Sequence, residues 1–175
     1  MDIKALIRTV PDFPKPGIRF RDITPLLGDG PAMRYVTQQF VERYEGKADK
    51  VAVIEARGFI FGSMLAHALG IGVVPIRKPG KLPFASITHE YELEYGTNRI
   101  ELHTDAVKPG ERVVVVDDLL ATGGTASAAL TLLERLHATI IGCAFVIDLP
   151  DVGGRTVIEK RGYDVHALCA FVESE

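Results

Sequence analysis

Two adjacent carboxylates, Asp117 and Asp118, are followed three residues later by a turn of small residues, Ala121, Thr122, Gly123, Gly124 and Thr125. The turn leads at once into an amphipathic run, Ala126 to Leu136. Successive backbone N–H groups at a helix start of this composition form a nest that an anion such as phosphate fits. A carboxylate is a strong acceptor for a sugar hydroxyl, so acids beside such a nest suit the vicinal hydroxyls of a sugar phosphate. Neighbouring side chains at a strand end point to opposite faces, which disfavours a shared bidentate clamp on one metal. The segment matches neither GxxxxGK[ST] nor GxGxxG, so a nucleoside-triphosphate P-loop and a dinucleotide fingerprint both fit poorly. On these residues alone, a crowded strand–helix turn relieved by glycine and a solvated or helix-capping acid pair remain open.

Groups of this kind need a buried strand to carry them. The unbroken run Val113–Val116 reads as a strand covered on both faces of a parallel sheet, with the acids at its carboxyl end, where open α/β sheets hold ligands. Val51 to Glu55 reads as a second buried strand, and Ile60, Phe61, Met64, Leu65 and Ala68 fit a following helix closed by Gly70. With Val73–Ile76 they make one βαβ unit. Met33, Val36, Phe40 and Tyr44 mark one face of a helix that begins near Pro31. Thr139–Leu149 and Asp164–Val172 supply two further strands. Ile3, Leu6, Ile7 and Val10 predict a short N-terminal helix stopped by Pro11, and residues 11–27 a proline-shaped loop able to serve as a hood. Arg77 to about Ala85 reads as a surface loop, with Thr97–His103 as the strand returning from it. The alternation predicts an α/β fold, a doubly wound, mostly parallel sheet flanked by helices. No linker, repeat or low-complexity tract divides the chain, so one domain over residues 1–175 is expected, with a hood at 1–30 and a flexible loop region at 77–96.

At 175 residues and 47% hydrophobic, the chain is large enough for a real core. A net charge of −3 argues against broad capture of nucleic acid or of an anionic membrane. Cys143 and Cys169 sit in apolar runs without CxxC spacing and read as small buried hydrophobes. The five histidines are scattered without ligand spacing. The first residues carry Asp2 and no apolar signal region, and no apolar run approaches ~18 residues, so a cytoplasmic protein is expected.

The stretch VVVVDDLLATGGTA closely resembles the phosphoribosyl-pyrophosphate (PRPP) motif of type I phosphoribosyltransferases. FPKPGIRFRDITPLL, EARGFIFG, RKPGKLP and ELEYG resemble, in the same order, the adenine-specific subfamily. The resemblance covers nearly the whole chain and implies transfer of ribose 5-phosphate from PRPP to adenine, giving AMP and pyrophosphate, with Mg²⁺ held mainly through PRPP rather than by dedicated protein ligands. It implies a homodimer. It assigns Ala121–Thr125 to the 5′-phosphate, Asp117 and Asp118 to the ribose hydroxyls, and Arg57 to a pyrophosphate loop in which a strained peptide bond often precedes the arginine. Arg77, Lys78 and Lys81 match a loop that closes over the pyrophosphate and excludes water.

For the chemistry itself, the resemblance makes Arg57, Lys81 and Glu94 catalytic. Glu94 matches the acid near the purine N7, where a carboxylate can share or accept a proton, and Tyr95 a residue close to the sugar. Phe20 matches the ring that stacks on adenine, Leu149 an apolar residue on its other face, and Arg19 and Arg21 the positions whose backbone reads the base. Stacking alone would accept any purine, so hydrogen bonds must select it. A transferase for a 6-oxopurine and a PRPP-sensing regulatory module stay as alternatives; the second lacks a DNA-binding segment or basic stripe. Past Leu149, PDVGGRTVIEKRGYDV is less distinctive and the resemblance weakens.

Overall fold

Val113, Val114, Val115 and Val116 are all fully buried, two on each side of a five-stranded sheet, the burial an unbroken β-branched run implies. The computed structural model describes residues 1–93 and 96–172. In chain order it contains β1 (Arg8–Pro11), β2 (Arg19–Asp22), α1 (Thr24–Leu27), α2 (Gly30–Tyr44), β3 (Lys50–Ile54), α3 (Gly58–Leu69), β4 (Gly72–Ile76) and β5 (Ser86–Leu93). There follow β6 (Gly96–His103), β7 (Arg112–Leu120), α4 (Gly124–Arg135), β8 (Thr139–Asp148), α5 (Gly154–Glu159) and β9 (Val165–Ala170). The main sheet runs β4-β3-β7-β8-β9 with every neighbouring pair parallel, so the expected doubly wound α/β fold is the observed one. Val114 and Val116 pack with α2 and α3 on one face, and Val113 and Val115 with α4 and α5 on the other. At roughly 1.5–3 kcal/mol for each fully buried aliphatic side chain, these two layers supply the main drive to fold.

The helices follow their apolar spacing. Met33, Val36, Phe40 and Tyr44 are the buried face of α2, whose start is capped by the Asp29 carboxylate accepting from the Ala32 N–H at 2.8 Å. In α3 the buried stripe is Phe61, Gly62, Leu65 and Ala66, shifted from the expected face, since Ile60 is 40% exposed and Ala68 is exposed as well. Gly62 lets this helix lie directly on β3, against the side chains of Val51 and Val53. Cys143 is buried as its reading as an apolar filler requires, and burial pushes its thiol up to about 12, whereas Cys169, up to about 11, is only partly buried and donates to the Val146 carbonyl at 3.3 Å. Among the described residues no helix is long and apolar enough to cross a membrane.

The structure corrects the sequence reading at two places. The expected N-terminal helix is one 3₁₀ turn, Lys4–Leu6, followed by β1, because Arg8–Pro11 pairs with Arg19–Asp22 in an antiparallel ladder. Ile3 and Ile7 are buried as their spacing suggested, but ladder pairing outweighs the local helical preference. The loop expected from Arg77 to about Ala85 is found there, but the flexible loop region expected over 77–96 holds a strand beyond it. Ser86–Leu93 forms β5, paired along its length with β6, while Ile87 and Tyr91 pack into the layer formed with α4.

Candidate functional site

The acids and the small-residue turn stand together at the carboxyl end of β7. Asp118 lies in step with Val114 and Val116, on the face where α3 packs, and there its carboxylate accepts a hydrogen bond from Arg57 Nε. Arg57 immediately precedes α3, after a cis Glu55–Ala56 peptide. The Asp118 side chain is 7% exposed and that of Arg57 44%, so the pair sits at the floor of an opening rather than in the core. Asp117 accepts from the Asp118 N–H at 2.8 Å. Burial, reinforced by the Asp118 carboxylate beside it, raises the Asp117 pKa well above the usual carboxylate range.

Gly123 caps the start of α4 with φ +79°, a left-handed conformation that glycine adopts without strain. The turn Ala121–Thr125 thereby presents its backbone at a helix N-terminus, and the Gly124 N–H donates to Thr122 Oγ1 at 3.4 Å. The Thr125 hydroxyl lies 2.9 Å from the Tyr91 hydroxyl of β5. One cavity of about 420 Å³ is walled by Glu55–Arg57, Lys78 and Asp117–Ala126. It therefore gathers Asp117, Asp118, Arg57, Lys78 and the whole ATGGT turn.

The other two cations of the loop stand elsewhere. The Arg77 guanidinium lies 3.3 Å from each oxygen of the Glu55 carboxylate and 3.4 Å from the Lys81 carbonyl, and neither Arg77 nor Lys81 lines the cavity. Glu55 also accepts from the Lys78 N–H at 2.9 Å. That amide, then the Arg77 guanidinium, holds the Glu55 carboxyl below its ordinary pKa. Glu94 and Tyr95 lie outside the described residues.

The β1–β2 hairpin lies within the stretch expected to form the hood. Phe20 packs edge-on against Phe13 at 5.2 Å, and the Arg57 guanidinium lies 5.8 Å from the Phe20 ring centre, so the aromatic overlooks the acid–arginine pair. The Arg21 side chain turns the other way: it is buried, donates to Thr9 Oγ1 at 2.5 Å, and lies 4.1 Å from the Phe171 ring. Arg19, Arg21 and Leu149 line a second crevice of about 490 Å³ together with Val152 and Phe171. Phe20 lies outside that lining.

Three contributors escaped the sequence reading. Glu55 reads as the last residue of a strand, although it tethers the loop beside the cavity. Tyr91 carried a usable signal, since Ile87, Tyr91 and Leu93 alternate with Thr88, Glu90 and Glu92 as a half-buried strand does. Gly154, whose N–H donates to the Ala121 carbonyl at 2.9 Å, had no local signal beyond the GG pair.

Residues 31–167 match the family model of the phosphoribosyl transferase domain. The adenine phosphoribosyltransferase of Methylobacillus flagellatus is 55% identical over 176 residues, spanning 100% of both chains. The crystal structure of the adenine phosphoribosyltransferase from Thermoanaerobacter pseudethanolicus superposes with a TM-score of 0.92 at 50% identity, covering 97% of this chain and 98% of that one. The Saccharomyces cerevisiae enzyme, solved with D-2,5-dideoxy-2,5-imino-altritol 1,6-bisphosphate and adenine, superposes at 0.89 with 37% identity, covering 96% and 97%.

Proposed function

The chain belongs to the adenine phosphoribosyltransferases of the phosphoribosyl transferase family, and from that premise we propose how its own residues serve the reaction. The enzyme converts adenine and PRPP to AMP and pyrophosphate, a purine-salvage reaction. One observation carries the assignment of roles: Arg57, both acids and the entire ATGGT turn wall the same cavity. The turn Ala121–Thr125 holds the 5′-phosphate by backbone amides. Asp117 and Asp118 accept from the ribose hydroxyls, with Asp118 already oriented by Arg57. Arg57 and Lys78 face the diphosphate, and Arg77 and Lys81 join them when the loop leaves its tether on Glu55.

The bond from the anomeric carbon to the pyrophosphate oxygen breaks, the bond to the adenine nitrogen forms, and the purine gives up a proton. Positive charge grows on the ribose and negative charge on the leaving group, so cations on the diphosphate side stabilise the separation. Glu94 shares or accepts the proton at N7, with Tyr95 beside the sugar. Phe20 stacks on adenine, Leu149 closes its other face, and the backbone at Arg19 and Arg21 reads its edge. The bisphosphate and adenine bound by the yeast relative support this division into an anionic and a purine subsite.

Among the described residues no three His, Cys, Asp or Glu side chains cluster as metal ligands, and Asp118 is engaged by Arg57. Such a donor set fits Mg²⁺ that keeps water ligands and is held mainly by PRPP, where it would neutralise charge on the diphosphate. We also propose a single domain over 1–175, a cytoplasmic location and a homodimer, with neither nucleic acid nor membrane as partner. A net charge of −3 supports the exclusion of both. The apolar groove of about 720 Å³ between α2 and α3, lined by Tyr35, Val41 and Met64, is a surface that a second copy would cover. The test is pyrophosphate release from PRPP and Mg²⁺ with adenine, hypoxanthine, guanine or no base in parallel. Release with adenine alone is expected. Release with a 6-oxopurine would move the base assignment, and PRPP binding without release would point to a sensor.

A further inference from the structure

We propose that Gly154, anchored by the Asp148–Arg155 ion pair, is a positioning residue that sets the shape of the phosphate turn from behind. Gly154 lies outside the cavity lining, yet its N–H donates to the Ala121 carbonyl at 2.9 Å. A Cβ at Gly154 would come within 2.7 Å of the Gly123 nitrogen and 2.9 Å of the Thr122 carbonyl carbon, and would overlap the Ala121 oxygen. Reciprocally, a Cβ at Gly123 would meet the Gly154 oxygen at 2.9 Å and its Cα at 3.0 Å. Two stretches of backbone thirty-odd residues apart therefore touch with no side chain between them. The turn cannot relax backward, and its amides stay aimed at the cavity.

What fixes Gly154 is the residue after it. Arg155 Nε donates to Asp148 Oδ2 at 2.8 Å, where the Asp148 side chain is 3% exposed, and Arg155 Nη1 donates to the Val165 carbonyl at 2.7 Å. A buried carboxylate held by a charge-assisted bond is a stiff anchor, since losing the partner strands the charge. Asp148 is also the last residue of β8, paired with Leu120 at the end of β7, and the Leu149 N–H donates to the Leu120 carbonyl at 2.9 Å. The strand that delivers the turn and the helix that backs it are thus fastened to the same residue.

The inference rests on the reading of Ala121–Thr125 as the 5′-phosphate cradle, and the test separates the two. Ribose 5-phosphate and pyrophosphate are titrated separately, by calorimetry, into the full-length wild type and Gly154→Ala. Ribose 5-phosphate probes the cradle, whereas pyrophosphate probes the Arg57 and Lys78 side of the same cavity. The variant is expected to bind ribose 5-phosphate at least tenfold more weakly while pyrophosphate affinity stays within twofold. Equal affinity for ribose 5-phosphate, or equal losses for both ligands, overturns the proposal. A wild type that fails to bind ribose 5-phosphate overturns the cradle itself and the brace with it. Should Gly154→Ala fail to fold, Arg155→Lys keeps a cation beside Asp148 but gives up the bond to Val165. A twofold to fivefold loss confined to ribose 5-phosphate then supports the brace, and no loss refutes it.

Discussion

Gly62→Ala tests whether the seat of α3 on β3 governs the arginine at the start of that helix. The added methyl would overlap Val53 Cγ1 and stand 3.3 Å from both Val53 Cβ and Val51 Cγ1. Carbon atoms in contact prefer about 3.5–4.0 Å, so the helix must lift by roughly 1.5 Å or Val53 must leave its rotamer. Val53 is 1% and Val51 0% exposed, and a β-branched side chain has little χ1 freedom, so no inexpensive escape exists. Overpacking of this kind costs typically 1–3 kcal/mol, and a full overlap belongs near the top of that range. Ala in a helix interior returns about 1 kcal/mol relative to Gly. The net loss is therefore about 1–2 kcal/mol, or roughly 2–8 °C in Tm for a chain of this size. Urea unfolding at fixed protein concentration measures it. In a Val53→Ala background the overlap with Cγ1 is gone and only the 3.3 Å contacts to the residue 53 Cβ and to Val51 Cγ1 oppose the helix gain, so the same substitution should there be neutral or stabilise by up to about 1 kcal/mol. Because Arg57 directly precedes α3, pyrophosphate release should fall with Gly62→Ala and recover in the double variant. A stabilising Gly62→Ala, or an equal loss in both backgrounds, would refute the packing argument.

Two further outcomes follow from the site. The pKa of Asp117 is raised in the folded protein above an unfolded value of about 4, so its contribution to stability is complete below that pH and is lost as the pH rises through the folded value. The unfolding midpoint of Asp117→Asn, taken relative to wild type without ligand, should therefore climb with pH, whereas a constant difference would mean that burial does not hold the proton on. Tyr91→Phe removes the hydroxyl 2.9 Å from Thr125 while keeping the ring, and a neutral hydrogen bond contributes about 1 kcal/mol. Faster amide hydrogen exchange along residues 86–92 is expected, and unchanged exchange would show that this contact does not fasten the hairpin to α4.

The sheet, and the meeting of the two acids with the ATGGT turn at one strand end, were legible because their signals are local. Val113–Val116 needs both faces covered, and ATGGT before an amphipathic run carries its own geometry. The N-terminus misled because Ile3, Leu6, Ile7 and Val10 satisfy a helical period while Arg8–Pro11 has a ladder partner waiting at Arg19–Asp22, which no local pattern announces. Strand β5 was hidden by its charges: Glu90 and Glu92 gave SITHEYEL the look of a solvated loop, although its apolar residues alternate. Arg77 shows a different limit. Its charge was evident, but its present partner, Glu55, depends on the tertiary path of the loop.

Arg57 and the phosphate turn arise from β3 and β7, which are directly paired. Adjacent strands in a sheet stand about 4.8 Å apart, a spacing fixed by backbone hydrogen bonds and insensitive to side chains. Arg57, three residues past the end of β3, and Ala121, the residue after β7, are accordingly set out from neighbouring strands of one sheet, so a shift of either strand would move both sides of the cavity together.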